Sequence, residues 1–262
     1  LAKQGVFEPV KLPPPPVVAA PDPDFHPPTL EPGQAEAADV LRATVARGGF
    51  SATLLDGVTG SGKTEVYFEA IAEAVRAGRQ VLILLPEISL TAAFLDRFHD
   101  RFGTRPAEWH SELPPRMREK VWRQTAEGQV KVVAGARSAL FLPFADLGLI
   151  IVDEEHDPAY KQEDRVFYNA RDMAVVRARL ADIPVVLASA TPSIETRVNA
   201  AQGRYQHLLL ESRYADAGLP DLKLVDLRRY APARGGFLSP VLLKAMEETL
   251  VRKEQSLLFL NR

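Results

Sequence analysis

Gly57-Val58-Thr59-Gly60-Ser61-Gly62-Lys63-Thr64 decides how this chain is read. The stretch fits G-x-x-x-x-G-K-[ST], follows the short apolar run Leu54-Leu55 and opens a helical pattern, the context that the motif requires. Its glycines let backbone N–H groups wrap a phosphate chain, and a helix N-terminus adds partial positive charge. In that arrangement Lys63 reaches the β- and γ-phosphates and the Thr64 hydroxyl ligates Mg²⁺. Gly57, Thr59, Gly60, Ser61, Gly62 and Glu65 complete the expected nucleotide-binding set. The plainer alternative is a glycine-rich turn that only caps a helix.

A second motif follows about 90 residues later. Asp153-Glu154-Glu155-His156 comes directly after the apolar run Leu149-Ile150-Ile151-Val152. A carboxylate at the end of such a strand is where an NTPase holds magnesium. Asp153 is expected at the metal and Glu154 at the attacking water. His156 is expected on the side of the terminal phosphate. Alone, four polar residues after a strand read as a solvated turn; together with the phosphate loop they read as a catalytic site.

Around these motifs the pattern alternates. Val81 to Leu85, Val130 to Ala134 and Val185 to Ala188 are compact and partly β-branched, as suits strands buried on both faces. Helical spacing recurs at Tyr67, Ala70, Ile71, Ala74 and Val75, at Phe94, Leu95, Phe98 and Phe102, and at Met117, Val121 and Trp122. This predicts an α/β fold, a mostly parallel sheet with helices on both faces, whose ligands bind beyond the carboxyl ends of the strands. The polar segments at those ends are candidate phosphate contacts for a nucleic-acid strand: Ser89 and Thr91, Arg137 and Ser138, Ser189 and Thr191. Past Arg204, Leu208 to Leu210 and Leu222 to Leu227 read as extra strands. Ser239-Pro240 starts a helix running to about Arg252, and Leu257 to Leu260 would open a second sheet.

The rest of the composition sets bounds. Ten of the 21 prolines fall within the first 32 residues, so residues 1–28 are expected to be a semi-rigid linker or the edge of a preceding domain. At 262 residues and 46% hydrophobic the chain is long and apolar enough for a sizeable core. A net charge of −2 does not announce nucleic acid, so any such contact uses a local patch. The absence of cysteine excludes disulfides and thiolate metal sites and suits a reducing, cytoplasmic setting. No apolar run is long enough to span a membrane. Neither end reads as a natural terminus, and an internal fragment is the expectation.

Taken together, the segments resemble the first motor lobe of a superfamily 2 helicase, and specifically the primosomal protein N′ family of replication-restart helicases. The resemblance runs from about Thr29 to Arg262. It rests on Gly57–Tyr67, Leu85–Thr91, Arg137–Phe141, Asp153–Gln162, Asn169–Ala174, Ser189–Ser193 and Leu257–Arg262. It implies a RecA-like P-loop NTPase lobe over 29–203, and an inter-lobe connection with the start of a truncated second lobe over 204–262. It implies ATP and Mg²⁺ as cofactors and 3′ to 5′ movement on single-stranded and forked DNA. Replication restart and primosome assembly are the implied setting, in a bacterial cytoplasm, with helicase-loading proteins and single-strand-binding protein as partners. Gln34 stands where relatives hold an adenine-reading glutamine. Phe167 and Tyr168 match an aromatic-rich loop whose rings stack on unpaired bases, at about 1–3 kcal/mol each, or else pack on the lobe. The sequence departs from the family at Ala136, where a hydroxyl residue is common, and at Glu112, where glycine is usual. The family's zinc-binding cysteine-rich module and the second-lobe arginine have no counterpart here, so weak hydrolysis by this chain alone is expected. Two alternatives stand beside this reading: another superfamily 2 translocase, of fork-reversal or restriction-enzyme type, and a nucleotide-binding module with no motor function.

Overall fold

The computed structural model describes residues 15–86, 92–211 and 221–259. The chain divides into two compact units, Leu1–Asp216 and Ala217–Arg262. The first holds a seven-stranded, wholly parallel sheet in the order β3-β4-β2-β5-β8-β1-β9. These strands are β1 (Ser51–Gly57), β2 (Gln80–Leu84), β3 (Ala107–Trp109), β4 (Val132–Gly135), β5 (Leu147–Val152), β8 (Pro184–Ser189) and β9 (Gln206–Leu210). Its helices are α1 (Pro32–Arg47), α2 (Lys63–Arg76), α3 (Ala92–Phe102), α4 (Pro115–Ala126), α5 (Ala170–Ala181) and α6 (Ile194–Ala201). β6 (Lys161–Gln162) and β7 (Tyr168–Asn169) pair antiparallel outside the main sheet.

The apolar runs become central strands because both of their faces are covered. In β2, Val81 and Ile83 join one core with Tyr67, Ile71 and Phe98, while Leu82 and Leu84 join a second with Ala174 and Ala178. The period of two along a strand makes that division, and helices on opposite faces bury each set. On the first face Phe68 makes edge-on contacts with Tyr67, Phe94, Phe98 and Phe102.

Several expectations need correction. In α4 only Val121 of the expected apolar stripe is buried; Met117 and Trp122 are exposed, and Gln124 and Thr125 face inward instead. Gln124 does so because its amide bonds the backbone at Val17 and Pro15. The described part of the proline-rich segment, from residue 15 on, is thereby strapped to the first unit. Val17 and Val18 pack on the second core, Asp22 N–H donates to Phe102 O, and Arg101 reaches Pro23 O. β9 lies beyond 203, where the lobe was expected to end, yet it pairs with β1. In the second unit Ser239 caps α7 (Pro240–Val251) by accepting from Leu242 N–H, as the Ser-Pro pair predicts. Leu222–Leu227 forms no strand, and Leu222 and Leu224 are exposed. Leu257–Phe259 likewise form none, and Leu260 lies outside the described residues. Apolar runs become strands only where a neighbouring strand supplies partners for their backbone groups. Among the described residues no helix is long and apolar enough to cross a membrane.

Candidate nucleotide site

The carboxyl end of β1 turns through the glycine loop into α2. Gly60 and Gly62 both have φ of +81°, a left-handed backbone that favours glycine. A Cβ on Gly62 would come within 2.4 Å of Gln34 Nε2, and one on Gly57 within 2.6 Å of Ser61 Oγ. Close packing as well as backbone freedom therefore demands these glycines. No side chain caps α2, which leaves its first-turn N–H groups facing the loop. Ser61 Oγ is buried and has no hydrogen-bond partner among the described residues. An uncapped helix start, an unpartnered buried hydroxyl and a tight glycine cradle fit a phosphate chain.

Lys63 is buried, and its ammonium donates to Gly57 O at 2.8 Å and Val58 O at 3.3 Å. Burial pulls its pKa below the ordinary lysine value, against the raising effect of Glu154, Asp153 and Asp56. Asp153 sits just past β5. Burial first and the Glu154 charge second push its carboxyl up to about 6, opposed by hydrogen bonds from Tyr67 and the Glu154 backbone and by the Lys63 charge. Tyr67 O–H donates to Asp153 Oδ2 at 3.0 Å, and Glu154 N–H donates to Oδ1 at 3.0 Å. Glu154 itself has φ of +47°, an unusual conformation for a side-chain-bearing residue and one that clusters at functional sites. Lys63, Thr64, Asp153 and Glu154 line one cleft of about 620 Å³, together with Thr59, Gly60, Gly62, Glu65 and Gln34.

Among the described residues no cluster of three or more His, Asp or Glu side chains is placed to hold a metal. Magnesium keeps several waters and takes few protein ligands. Thr64, at the start of α2, and Asp153, held by the Tyr67 hydroxyl, are a donor set of the right kind.

Gln34 lies in the cleft wall as the third residue of α1. Its Oε1 accepts from Glu31 N–H at 3.0 Å, the return half of a capping box, and its Nε2 donates to Ser61 O at 3.0 Å. The amide thus ties α1 to the phosphate loop and keeps one lone pair and one N–H beyond these bonds.

The expected strand-contacting residues divide. Ser89 and Thr91 lie outside the described residues. Arg137 donates to Ala159 O and Lys161 O, and Ser138 Oγ accepts from Trp109 N–H. Ser189 is turned inward: fully buried, it meets His156 Nδ1 at 2.7 Å and accepts from Thr191 N–H. It belongs to the acidic loop rather than to an exposed path, whereas Thr191 is exposed. Phe167 is 78% exposed, but Tyr168 packs edge-on against Phe141 at 5.4 Å. Packing, the plainer alternative, describes Tyr168 and not Phe167.

Sequence reasoning missed a buried hub. Glu155, inside the acidic motif, accepts from Ser193 N–H (2.7 Å), Ser193 O–H (3.0 Å), Thr196 O–H (2.9 Å) and Arg171 (3.3 Å). The available signal was Ser193 as N-cap of α6; nothing local paired it with Glu155. Tyr160 was also missed as a support: its hydroxyl donates within reach of Asp153 O (2.6 Å) and Leu84 O (2.9 Å).

A parallel sheet with a phosphate loop at β1 and an acidic motif at β5 defines a RecA-like helicase lobe. The sequence pattern of the DEAD/DEAH box helicases matches residues 31–199, more than half of the chain, and the chain belongs to that family. More narrowly, it is similar to proteins named Replication restart protein PriA. It is 48% identical to that of Rickettsia felis over 210 residues (80% of this chain, 32% of the relative). The figures are 46% over 214 residues for Haemophilus influenzae (82% and 29%) and 41% over 232 for Bacillus subtilis (87% and 29%). The chain spans about a third of the length of these relatives. Among solved structures, the Pyrococcus furiosus Hef helicase domain superposes with a TM-score of 0.47 at 20% identity, covering 75% of this chain and 39% of that one.

Proposed function

We propose that this chain is the nucleotide-binding lobe of an ATP-dependent DNA helicase that moves 3′ to 5′ along single-stranded DNA. The observation that carries the reading is the convergence of Lys63, Asp153 and Glu154 on one cleft at the start of α2. The Lys63 ammonium neutralises the β- and γ-phosphates, and the α2 N–H groups hold phosphate oxygens. Thr64 and Asp153 would hold magnesium, which when bound would draw charge from the phosphate oxygens. Glu154 accepts the proton of the attacking water. His156, whose Nδ1 bonds Ser189 and lies 3.5 Å from Glu154, senses the terminal-phosphate side of the site.

The similarity to proteins named for replication restart supports forked and single-stranded DNA as substrate, with primosome assembly in a bacterial cytoplasm as the setting. Helicase-loading proteins and single-strand-binding protein are the matching partners. The first lobe spans 29–210, with β9 included, and 221–259 begins the passage to a second lobe. The arginine that stabilises the transferring phosphoryl comes from that second lobe, a contribution worth about 10³–10⁵ in rate. This chain alone should therefore bind nucleotide and hydrolyse it poorly.

In the whole protein Lys63→Ala should abolish DNA-stimulated ATP hydrolysis. Glu154→Gln should retain nucleotide binding and lose turnover, because an amide accepts no proton. Parent-rate hydrolysis by Glu154→Gln would remove Glu154 as the base. Binding without hydrolysis by the whole unmodified protein, indifferent to DNA, would favour the non-motor alternative.

A further inference from the structure

Tyr67 lies in the second turn of α2, four residues after Lys63 and three after Thr64, and so shares their side of the helix. It is fully buried, and its ring belongs to the first core with Ile71, Ile83 and Phe98. Phe68 meets that ring edge-on at 5.4 Å and itself packs against Phe94, Phe98 and Phe102. Packing of this kind needs a ring and no hydroxyl, and a buried hydroxyl costs stability unless it is bonded. The Tyr67 hydroxyl is bonded to a carboxylate: it donates to Asp153 Oδ2 at 3.0 Å, across 86 residues. Asp153 lines the cleft of the phosphate loop, and Tyr67 stands behind it. The other carboxylate oxygen takes Glu154 N–H at 3.0 Å, and Asp153 O takes the Tyr160 hydroxyl at 2.6 Å. The two side-chain bonds use two of the roughly four lone-pair sites of the carboxylate and leave the remainder for a ligand.

We propose that Tyr67 is a positioning residue for the magnesium site: its hydroxyl fixes the orientation of the Asp153 carboxylate and registers the acidic motif against the phosphate loop. This rests on the nucleotide-binding reading above and adds a residue to it. A carboxylate turns easily about its last torsion when nothing holds it. A donor on each oxygen, Tyr67 on one and the Glu154 backbone on the other, stops that rotation. The ring that carries the first donor is itself locked in the core. Donors of this kind keep a metal-ligating carboxylate in place, and their removal typically costs about 10–100-fold in metal affinity or activity. Lys63, Thr64 and Tyr67 thus form one unit on α2: a cation for phosphate, a hydroxyl for the metal, and a donor that sets the opposing carboxylate.

The test compares the whole protein with its Tyr67→Phe variant, which loses the hydroxyl and keeps the ring. Fluorescent mant-ADP is titrated in EDTA and at rising magnesium chloride. The pH is about 8.5, where the Asp153 carboxyl, which titrates at about 6, is an anion. In EDTA the two proteins should bind mant-ADP equally. The variant should need about tenfold more Mg²⁺ to reach half of the magnesium-dependent gain in affinity. DNA-stimulated turnover should fall at limiting Mg²⁺ and return at excess Mg²⁺, a rescue that a purely packing role would not give. An unchanged Mg²⁺ midpoint would overturn the proposal. So would equal weakening in EDTA, which would make Tyr67 a support of the phosphate loop, or a turnover deficit that excess Mg²⁺ leaves in place. Should Tyr67→Phe fail to give a native melting curve, Tyr67→Met, which fills the core without a hydroxyl donor, carries the comparison. Two controls judge the underlying reading. If Lys63→Ala binds mant-ADP as tightly as the parent, the phosphate-loop assignment fails. If Asp153→Ala keeps the parent's Mg²⁺ response, or the parent shows none, the metal assignment fails and the proposal with it.

Discussion

Removing the charge of Asp153 should stabilise the ligand-free protein. In the folded chain this carboxyl titrates near 6 instead of its ordinary 3.8, chiefly because burial disfavours the anion. Between these two values the folded state binds a proton that the unfolded state has released. Stability from this group is therefore fully present below about pH 4 and falls as the pH rises to 6. Above 6 the loss is complete, and a shift of about two units corresponds to roughly 3 kcal/mol. Solvent reaching the cleft brings a realistic figure to about 2 kcal/mol. Asn at this position carries no charge, and its oxygen still accepts from Glu154 N–H while its amide reaches the Tyr67 hydroxyl. Asp153→Asn should thus exceed the parent by about 2 kcal/mol at pH 7.5, and by about half that at pH 5. Urea melts in EDTA without nucleotide measure the difference, in which other titrating groups cancel. A variant no more stable than the parent at pH 7.5, or a gap that does not narrow on acidification, would refute the desolvation argument.

Three further outcomes follow from the same geometry. Glu155→Ala should cost about 2–4 kcal/mol in a chemical melt, since it removes the buried carboxylate that Ser193 and Thr196 bond and leaves Arg171 hydrogen-bonded only to Asp172 and Ser193; a cost under 1 kcal/mol would show that the hub is not needed for folding. Gly62→Ala should lose about 1–2 kcal/mol from the left-handed backbone, and it should also weaken nucleotide binding by pushing the Gln34 amide off Ser61 O. Calorimetry checks both effects, and wild-type affinity would mean that the loop tolerates the Cβ. Phe167→Ala should leave stability within about 0.5 kcal/mol while reducing single-strand affinity, whereas Tyr168→Ala, which removes the contact with Phe141, should lower the melting temperature.

The sequence by itself determined what depends on neighbours along the chain. Strand, glycine loop and helix start lie within Ser51–Thr64, so the glycine turn that opens α2 follows from local backbone chemistry. Asp153 and Glu154 were legible because a buried strand end must present its next residues at the carboxyl edge of the sheet. The Ser239 cap was legible because a cap satisfies its own helix. What required tertiary structure were partners far apart in sequence. Glu155 meets Ser193 across 38 residues, Tyr67 meets Asp153 across 86, and Arg97 meets Glu65 across 32. The folded sheet also decided that Ser189 turns inward to His156 and that Gln206–Leu210 becomes a seventh strand while Leu222–Leu227 does not. An apolar run carries the same local preference in either place, and only a strand edge beside it, or none, determines whether its backbone groups pair.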